Sequence, residues 1–186
     1  MNLSKLVVLG FLFGISVQML GQNSSPTKGK DFWLGFMQNV DQTGGNLLDV
    51  FIVGDNPTSG TISVPGQSWS QSFNVNPNNV TTVSIPSSVA EVFSQAMVEG
   101  KGVHIETADT VAVFAVNARM TSADATKILP TPTLGYQYMV SAYKGFNAYS
   151  SEMLIVATED DTEIEIIPSC DLYGFAPEQM MILRLL

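Results

Sequence analysis

The sequence has one cysteine and one histidine among its 186 residues, and each scarcity excludes a class of protein. Because Cys170 has no second cysteine to pair with, no disulfide within the chain stabilises the fold. Because His104 is the only imidazole, a metal site built on two histidines is excluded. Stability must come from a hydrophobic core, and a chain of this length is large enough to bury one.

Basic residues are also scarce, at 8 Lys and Arg against 17 Asp and Glu, which gives a formal net charge of −9. Loss of an N-terminal segment containing Lys5 leaves 7 basic residues and a charge of −10. A surface of this sign repels phosphate groups. The composition therefore argues against nucleic acid or anionic lipid as a partner.

Recognisable catalytic motifs are missing as well. There is no Gly-x-Ser-x-Gly turn for a nucleophilic serine, and Cys170 with one distant histidine makes a poor nucleophile pair. Val103 and Ile105 point to one face of a strand, so His104 shares the opposite face with Glu106. We interpret His104 as solvated or paired across strands. We expect no catalytic residue, no metal ligand and no cofactor, and predict that the protein is not an enzyme.

The N-terminus has the pattern of a signal peptide. Lys5 precedes an apolar run over residues 6–20 that ends in small and polar residues. The run is shorter than the ~20 apolar residues of an ordinary membrane span. We predict a signal peptide over residues 1–22 and a mature domain over residues 23–186, secreted or held at the cell surface. An uncleaved anchor is the alternative.

The rest of the chain is a series of short patterns rich in Val, Ile, Phe and Thr, separated by turns containing Gly, Pro, Asn or Asp. This order predicts an all-β domain of antiparallel, sandwich-like type. Ile62 and Val64 alternate with polar residues before a turn at Pro65, and a second alternating strand over residues 69–75 completes a hairpin. Residues 87–97 have apolar side chains at helical spacing and are predicted as the one short helix.

Further strands are predicted over residues 47–53 and 80–85. Two separate strands are predicted over residues 103–106 and 111–116, the second covered on both faces because every position is apolar. Towards the C-terminus the patterns predict a strand over residues 136–143 and a hairpin of residues 153–158 with 162–167. The last stretch, residues 180–186, ends on apolar residues, and we expect the chain to stop inside an incomplete domain.

Seven of these blocks, taken in order, resemble one known family. They are residues 30–39, 60–66, 80–86, 101–105, 110–117, 124–126 with Leu129 and Pro130, and 154–162. Together they are similar to the IgGFc-binding protein N-terminal domain, over about residues 29–170. The resemblance implies an extracellular β-rich module, found in an animal mucus-associated Fc-binding protein and in large exported proteins of Bacteroidetes-type bacteria. It supplies no catalytic residues.

The candidate binding residues are aromatic. Tyr143, Phe146 and Tyr149 lie within seven residues that also include Gly145 and Asn147, and three such rings are hard to bury together. We predict that this loop contacts the ligand. A Ca²⁺ site near Asp160 and Asp161 is a weaker hypothesis, since oxygen ligands suit that ion but the spacing fits no EF-hand loop.

The sequence therefore predicts a non-catalytic recognition or adhesion module that binds a protein or glycoprotein outside the cell. Two alternatives stay open. The domain is a structural spacer of a larger exported protein, or it is a carbohydrate-binding accessory module, in which case its loop aromatics should be exposed and coplanar.

Overall fold

A computed structural model describes residues 27–39, 47–94, 97–120, 122–141, 151–168 and 181–184. The strands are β1 (Gly29–Leu34), β2 (Phe36–Met37), β3 (Leu47–Gly54), β4 (Thr58–Val64), β5 (Trp69–Val75), β6 (Thr81–Ile85), β7 (Glu91–Val92), β8 (Val103–Ala118), β9 (Ala123–Ile128), β10 (Glu163–Ile166) and β11 (Met181–Arg184). Within these ranges the one α-helix is α1 (Ser87–Ala90), and 3-10 turns occupy Pro65–Gln67 and Thr131–Thr133. The predicted signal peptide lies outside the described residues.

Strand β8 organises a seven-stranded sheet because it has partners along both edges. On one edge it pairs with β3 and then β4, and on the other with β9 and then β1, all antiparallel. The pairing with β3 ends at Gly54↔Val111, and that with β4 resumes at Gly60↔Thr107. Five residues separate Gly54 from Gly60, whereas three separate their partners Thr107 and Val111 on β8. The two extra residues allow the chain to bend between β3 and β4.

Strands β5 and β6 are the outer strands of the sheet, next to β4 and β3. β5 pairs with β4 and β6 pairs with β3, and Thr58↔Val75 and Ile52↔Thr81 each end an unbroken register. The sheet therefore has two halves joined through β8. One half contains β1, β4 and β5, and the other contains β9, β3 and β6.

Both halves bury their apolar positions in one core. Ile62 and Val64 of β4 and Ile105 of β8 are fully buried, as are Leu48 and Val50 of β3 in the other half. Full burial of each such side chain contributes about 1.5–3 kcal/mol. The prediction of an all-β, antiparallel domain with one short helix is confirmed, and both halves belong to one continuous sheet.

Two local predictions near β7 and β8 are wrong. The helix predicted over residues 87–97 ends at Ala90, because Glu91 adopts an extended backbone and pairs β7 with β2 in parallel. The two strands predicted around Asp109 are one 16-residue strand. Its apolar second half is not covered on both faces, since Phe114 is 38% exposed beneath the Lys127 ammonium.

In the C-terminal third the strand predicted over residues 162–167 is present, but within the described residues the other predicted strands are not. Residues 136–141 and 153–157 have no regular secondary structure, although their composition favours strands. β10 lies within the predicted second arm of the hairpin, but it pairs with β11 instead, from Glu163↔Arg184 to Ile166↔Met181. The residues expected to fall outside the pattern therefore supply the partner strand.

The close packing of β4 against β8 gives a stability test at Gly60. A Cβ atom there would overlap the backbone oxygen of Glu106 and stand 2.5 Å from Cζ of Phe73. We expect Gly60→Ala to destabilise the domain by about 1–3 kcal/mol, as overpacked sites do. The measurement is the midpoint of denaturant unfolding.

Gly135→Ala is the matched control, because a Cβ atom at Gly135 meets nothing within 4 Å. It should leave stability unchanged or raise it by about 0.4–1 kcal/mol through the unfolded state. Equal losses in the two variants would contradict the packing described here.

Candidate functional site

The predicted binding residues Tyr143, Phe146 and Tyr149 lie in residues 142–150, outside the described residues. The segment directly before them is described and is strongly exposed. Tyr136 is fully exposed, Met139 is 95% exposed and Tyr138 is 70% exposed. The Tyr138 hydroxyl accepts a hydrogen bond from the Gly135 backbone N–H at 3.0 Å. We call residues 134–140 the exposed segment.

Exposed apolar side chains are concentrated in this part of the chain. Of the sixteen large exposed apolar side chains in the described ranges, nine lie between residues 129 and 167. They are Leu129, Leu134, Tyr136, Tyr138, Met139, Val140, Met153, Ile155 and Ile167. Isolated exposed apolar residues are ordinary, but a concentration of them is typical of an interaction surface.

A second cluster lies on the outer face of β1 and β8. The register places Asp31 opposite Glu106 and Trp33 opposite His104. Their neighbours Phe32 and Ile105 are fully buried, so strand alternation turns these four side chains away from the core. We call them the His104 cluster.

Within this cluster the imidazole has a contact on each side. Nε2 of His104 is 2.7 Å from Oδ2 of Asp31, and Nδ1 is 3.9 Å from Oε2 of Glu106. The Trp33 ring stacks on the imidazole with centroids 4.3 Å apart and planes 13° from parallel. Of the two interpretations of His104, solvated or paired across strands, the structure supports the pairing.

The Asp31 carboxylate is stabilised in its charged form. Partial burial raises its pKa, but side-chain contacts with Thr131 and His104 and the charge of the imidazole outweigh burial, so the pKa of Asp31 lies below its usual value. Asp31 is therefore ionised at neutral pH and accepts a hydrogen bond. Within the described ranges, Asp31, His104 and Glu106 of this cluster are also the only group of three or more side chains suited to hold a metal ion.

The sequence analysis missed a buried ion pair. Nη2 of Arg119 is 3.2 Å from Oε1 of Glu91, and their side chains are only 6% and 1% exposed. The same carboxylate oxygen accepts the backbone N–H of Asn39 at 3.2 Å. Nothing in the sequence links residues 28 positions apart, and the helix prediction had placed Glu91 on a regular helical turn. An ion pair buried this deeply is suited to stabilise the fold.

This pair gives a stability prediction. Arg119→Met removes the cation that lies 3.2 Å from the buried Glu91 carboxylate, and removal of one member of a buried ion pair typically costs about 3–5 kcal/mol. Replacing both residues by Met removes both charges, so the double variant should be more stable than Arg119→Met alone. Denaturant unfolding of the native chain, the two single variants and the double variant measures the coupling. Additive losses would show that the two charges act independently.

The loop between β7 and β8 is closed by Glu99. Its Oε1 accepts the backbone N–H groups of Phe93 at 3.0 Å and Ser94 at 2.7 Å, and its Oε2 is 2.7 Å from Nζ of Lys101. Burial raises the pKa of Glu99, but these hydrogen bonds and the ammonium outweigh it and lower the pKa from 4.5 to about 2. The charged form of Glu99 therefore stabilises the folded loop.

The lowered pKa predicts a pH dependence. The carboxylate contributes fully above its unfolded value of 4.5, and the contribution disappears as pH falls through the folded value of about 2. Glu99→Gln should therefore be less stable than the native chain at pH 7, and the gap should narrow below pH 4.5. Melting temperatures across pH 2–7 measure it, with the exposed Glu163→Gln as control. A gap independent of pH would contradict the assignment.

Two other candidate sites have less support. Asp160 and Asp161 are exposed in the turn before β10, and the Ca²⁺ site there stays a prediction.

An open cleft of about 580 Å³ lies at the bend of the sheet. No aromatic ring lines it: its residues are Pro57, Thr58, Ser59, Asn74, Val75, Asn76, Ala108 and Asp109. The cleft therefore lacks the stacking platform expected of a carbohydrate-binding module.

Comparison with known proteins yields one match. A family model described as IgGFc binding protein matches residues 124–179, less than a third of the chain. The matched stretch contains β9, the exposed segment, β10 and the predicted loop with Tyr143, Phe146 and Tyr149. It supports the resemblance for the last two of the seven blocks. No curated protein and no solved structure matches the chain.

Within the described residues, no helix is both long and apolar enough to cross a bilayer.

Proposed function

We propose that the protein is a non-catalytic recognition module that works outside the cell and binds a protein or glycoprotein through the region from the exposed segment to Tyr149. The proposal rests on one observation, which is that two features lie in the same part of the chain. The stretch that matches an Fc-binding family also contains most of the large exposed apolar side chains in the described ranges.

The chemistry of the exposed segment fits a protein partner. Tyrosine supplies a large apolar ring with a polar end and loses little conformational freedom on binding, and tyrosines are enriched at the centre of protein interfaces. Met139 and Val140 add apolar area next to Tyr138. Residues 136–141 have no ladder hydrogen bonds to preserve, so their backbone can adjust to a partner.

The net charge narrows the choice of ligand. At −9, or −10 after loss of residues 1–22, the chain repels anionic partners at long range. A protein surface that is neutral or basic around an apolar centre fits best. The family description makes the Fc part of immunoglobulin G the first ligand to test.

The test is binding of the purified full chain to immobilised immunoglobulin Fc, mucin and a glycan set in parallel. Tyr136→Ala should weaken binding by about tenfold or more, since an interface hot spot contributes at least about 1.4 kcal/mol. Because Tyr136 is fully exposed, its removal should leave the melting temperature unchanged. The triple variant Tyr143→Ala, Phe146→Ala, Tyr149→Ala should abolish binding.

Val80→Ala is the matched control, since Val80 is exposed but lies outside the family match. Binding that survives the Tyr136 and triple variants would place the ligand surface elsewhere. A native chain that melts cooperatively and binds none of the three ligand classes would support the alternative of a structural spacer.

A further inference from the structure

We propose that Asp31, His104 and Glu106 form a surface site for a divalent transition-metal ion such as Zn²⁺ or Cu²⁺. Neither the family match nor the proposed recognition function involves these residues, which lie on β1 and β8, outside residues 124–179. His104 and Glu106 would bind the ion, and Asp31 would orient the imidazole.

The first support is the placement of charge on the sheet. Asp31 and Glu106 are directly opposite in the β1–β8 register, where like charges disfavour pairing. Two carboxylates held close by the strand register make this patch of the sheet negative, which favours a bound cation. The His104 side chain, two residues away on β8 and on the same face, supplies a nitrogen donor at the same place.

The second support is the orientation of the imidazole. Oδ2 of Asp31 lies 2.7 Å from Nε2, within hydrogen-bond distance. Nδ1, the other ring nitrogen, faces Oε2 of Glu106. A carboxylate that holds one ring nitrogen while the other binds metal is the common outer-shell arrangement of histidine ligands.

The distances suit an ion. Zn–N and Zn–O bonds are about 2.0–2.2 Å each, so two donors of a tetrahedral ion stand about 3.3–3.5 Å apart, and a small rotation of Glu106 brings its oxygen to that distance from Nδ1. Nδ1 of His104 and Oε2 of Glu106 are 3.9 Å apart, and one donor atom from each of the three residues lies within 4.8 Å of the others. The Glu106 side chain is 69% exposed, so it can rotate towards the ion and leave positions for water.

Trp33 makes the site more rigid. Its ring covers one face of the imidazole, with centroids 4.3 Å apart, and the edge of the indole lies beside Gly102. An imidazole already held in one orientation loses less freedom when it binds an ion. A nitrogen donor from His104 with the Glu106 carboxylate favours Zn²⁺ or Cu²⁺ over Ca²⁺ and Mg²⁺, which prefer oxygen ligands alone.

The scarcity of histidine makes the test specific. With one histidine in the chain, an imidazole signal can come only from His104. The experiment titrates Cu²⁺ into the full chain and records the electron paramagnetic resonance spectrum together with tryptophan fluorescence. We expect coupling to a single imidazole nitrogen and quenching of Trp33, measured in a Trp69→Phe background because the chain has two tryptophans.

The variants separate the three roles. His104→Gln should remove the nitrogen coupling, and Asp31→Asn should lower Cu²⁺ affinity about tenfold, as loss of an outer-shell carboxylate does. Glu106→Gln should also weaken binding without changing the melting temperature, because the side chain is exposed. Glu165→Gln, another exposed strand carboxylate, and Cys170→Ser are controls that should bind Cu²⁺ like the native chain.

Zn²⁺ should bind at the same place, and calorimetry should show that it competes with Cu²⁺. Cu²⁺ bound without nitrogen coupling, or equally well by the Glu106→Gln and native chains, would overturn the site. So would the absence of binding by the native chain. Fc, mucin and glycan binding are measured separately, so failure of the metal site leaves the recognition proposal intact.

Discussion

The structure depends on one long strand, β8. Every other strand of the central sheet pairs either with β8 or with a strand that itself pairs with β8. β8 pairs with β3 and β4 on one edge and with β9 and β1 on the other. Because its 16 residues run through both halves of the sheet, the halves cannot separate without breaking its ladders. The common core results from this connection, since alternate residues of one bent sheet face inwards from both sides.

Strand β8 also positions the polar side chains of the His104 cluster on the outer face of the sheet. His104 and Glu106 belong to β8, and Asp31 and Trp33 belong to β1 beside it, so the His104 cluster rests on paired backbone. The exposed segment is different, because residues 134–140 have no ladder to hold them. A rigid polar cluster suits a small ion whose ligands must be fixed, whereas an apolar segment outside the sheet suits a large partner to which it can adapt.

Sequence patterns were reliable where local preference and tertiary pairing agree. The alternation at Ile62 and Val64 predicted a hairpin that the structure contains, and the alternation at His104 predicted its outward face. They failed where a distant residue decided the conformation. Helical spacing favoured a helix through Glu91, but the pairing of β7 with β2 and the ion pair with Arg119 favour an extended chain. Residues 136–141 have strand-forming composition without a ladder partner in the described structure.

The sequence by itself determined the all-β class, the outward direction of His104 and the unbalanced acidic charge, because alternation and composition are local properties of the chain. It could not determine which strands meet. Only the tertiary structure brought Asp31 within 2.7 Å of His104, buried Glu91 beside Arg119 and paired Glu163 with Arg184. These contacts join residues far apart along the chain, and their geometry depends on sheet order and register, which no local pattern encodes.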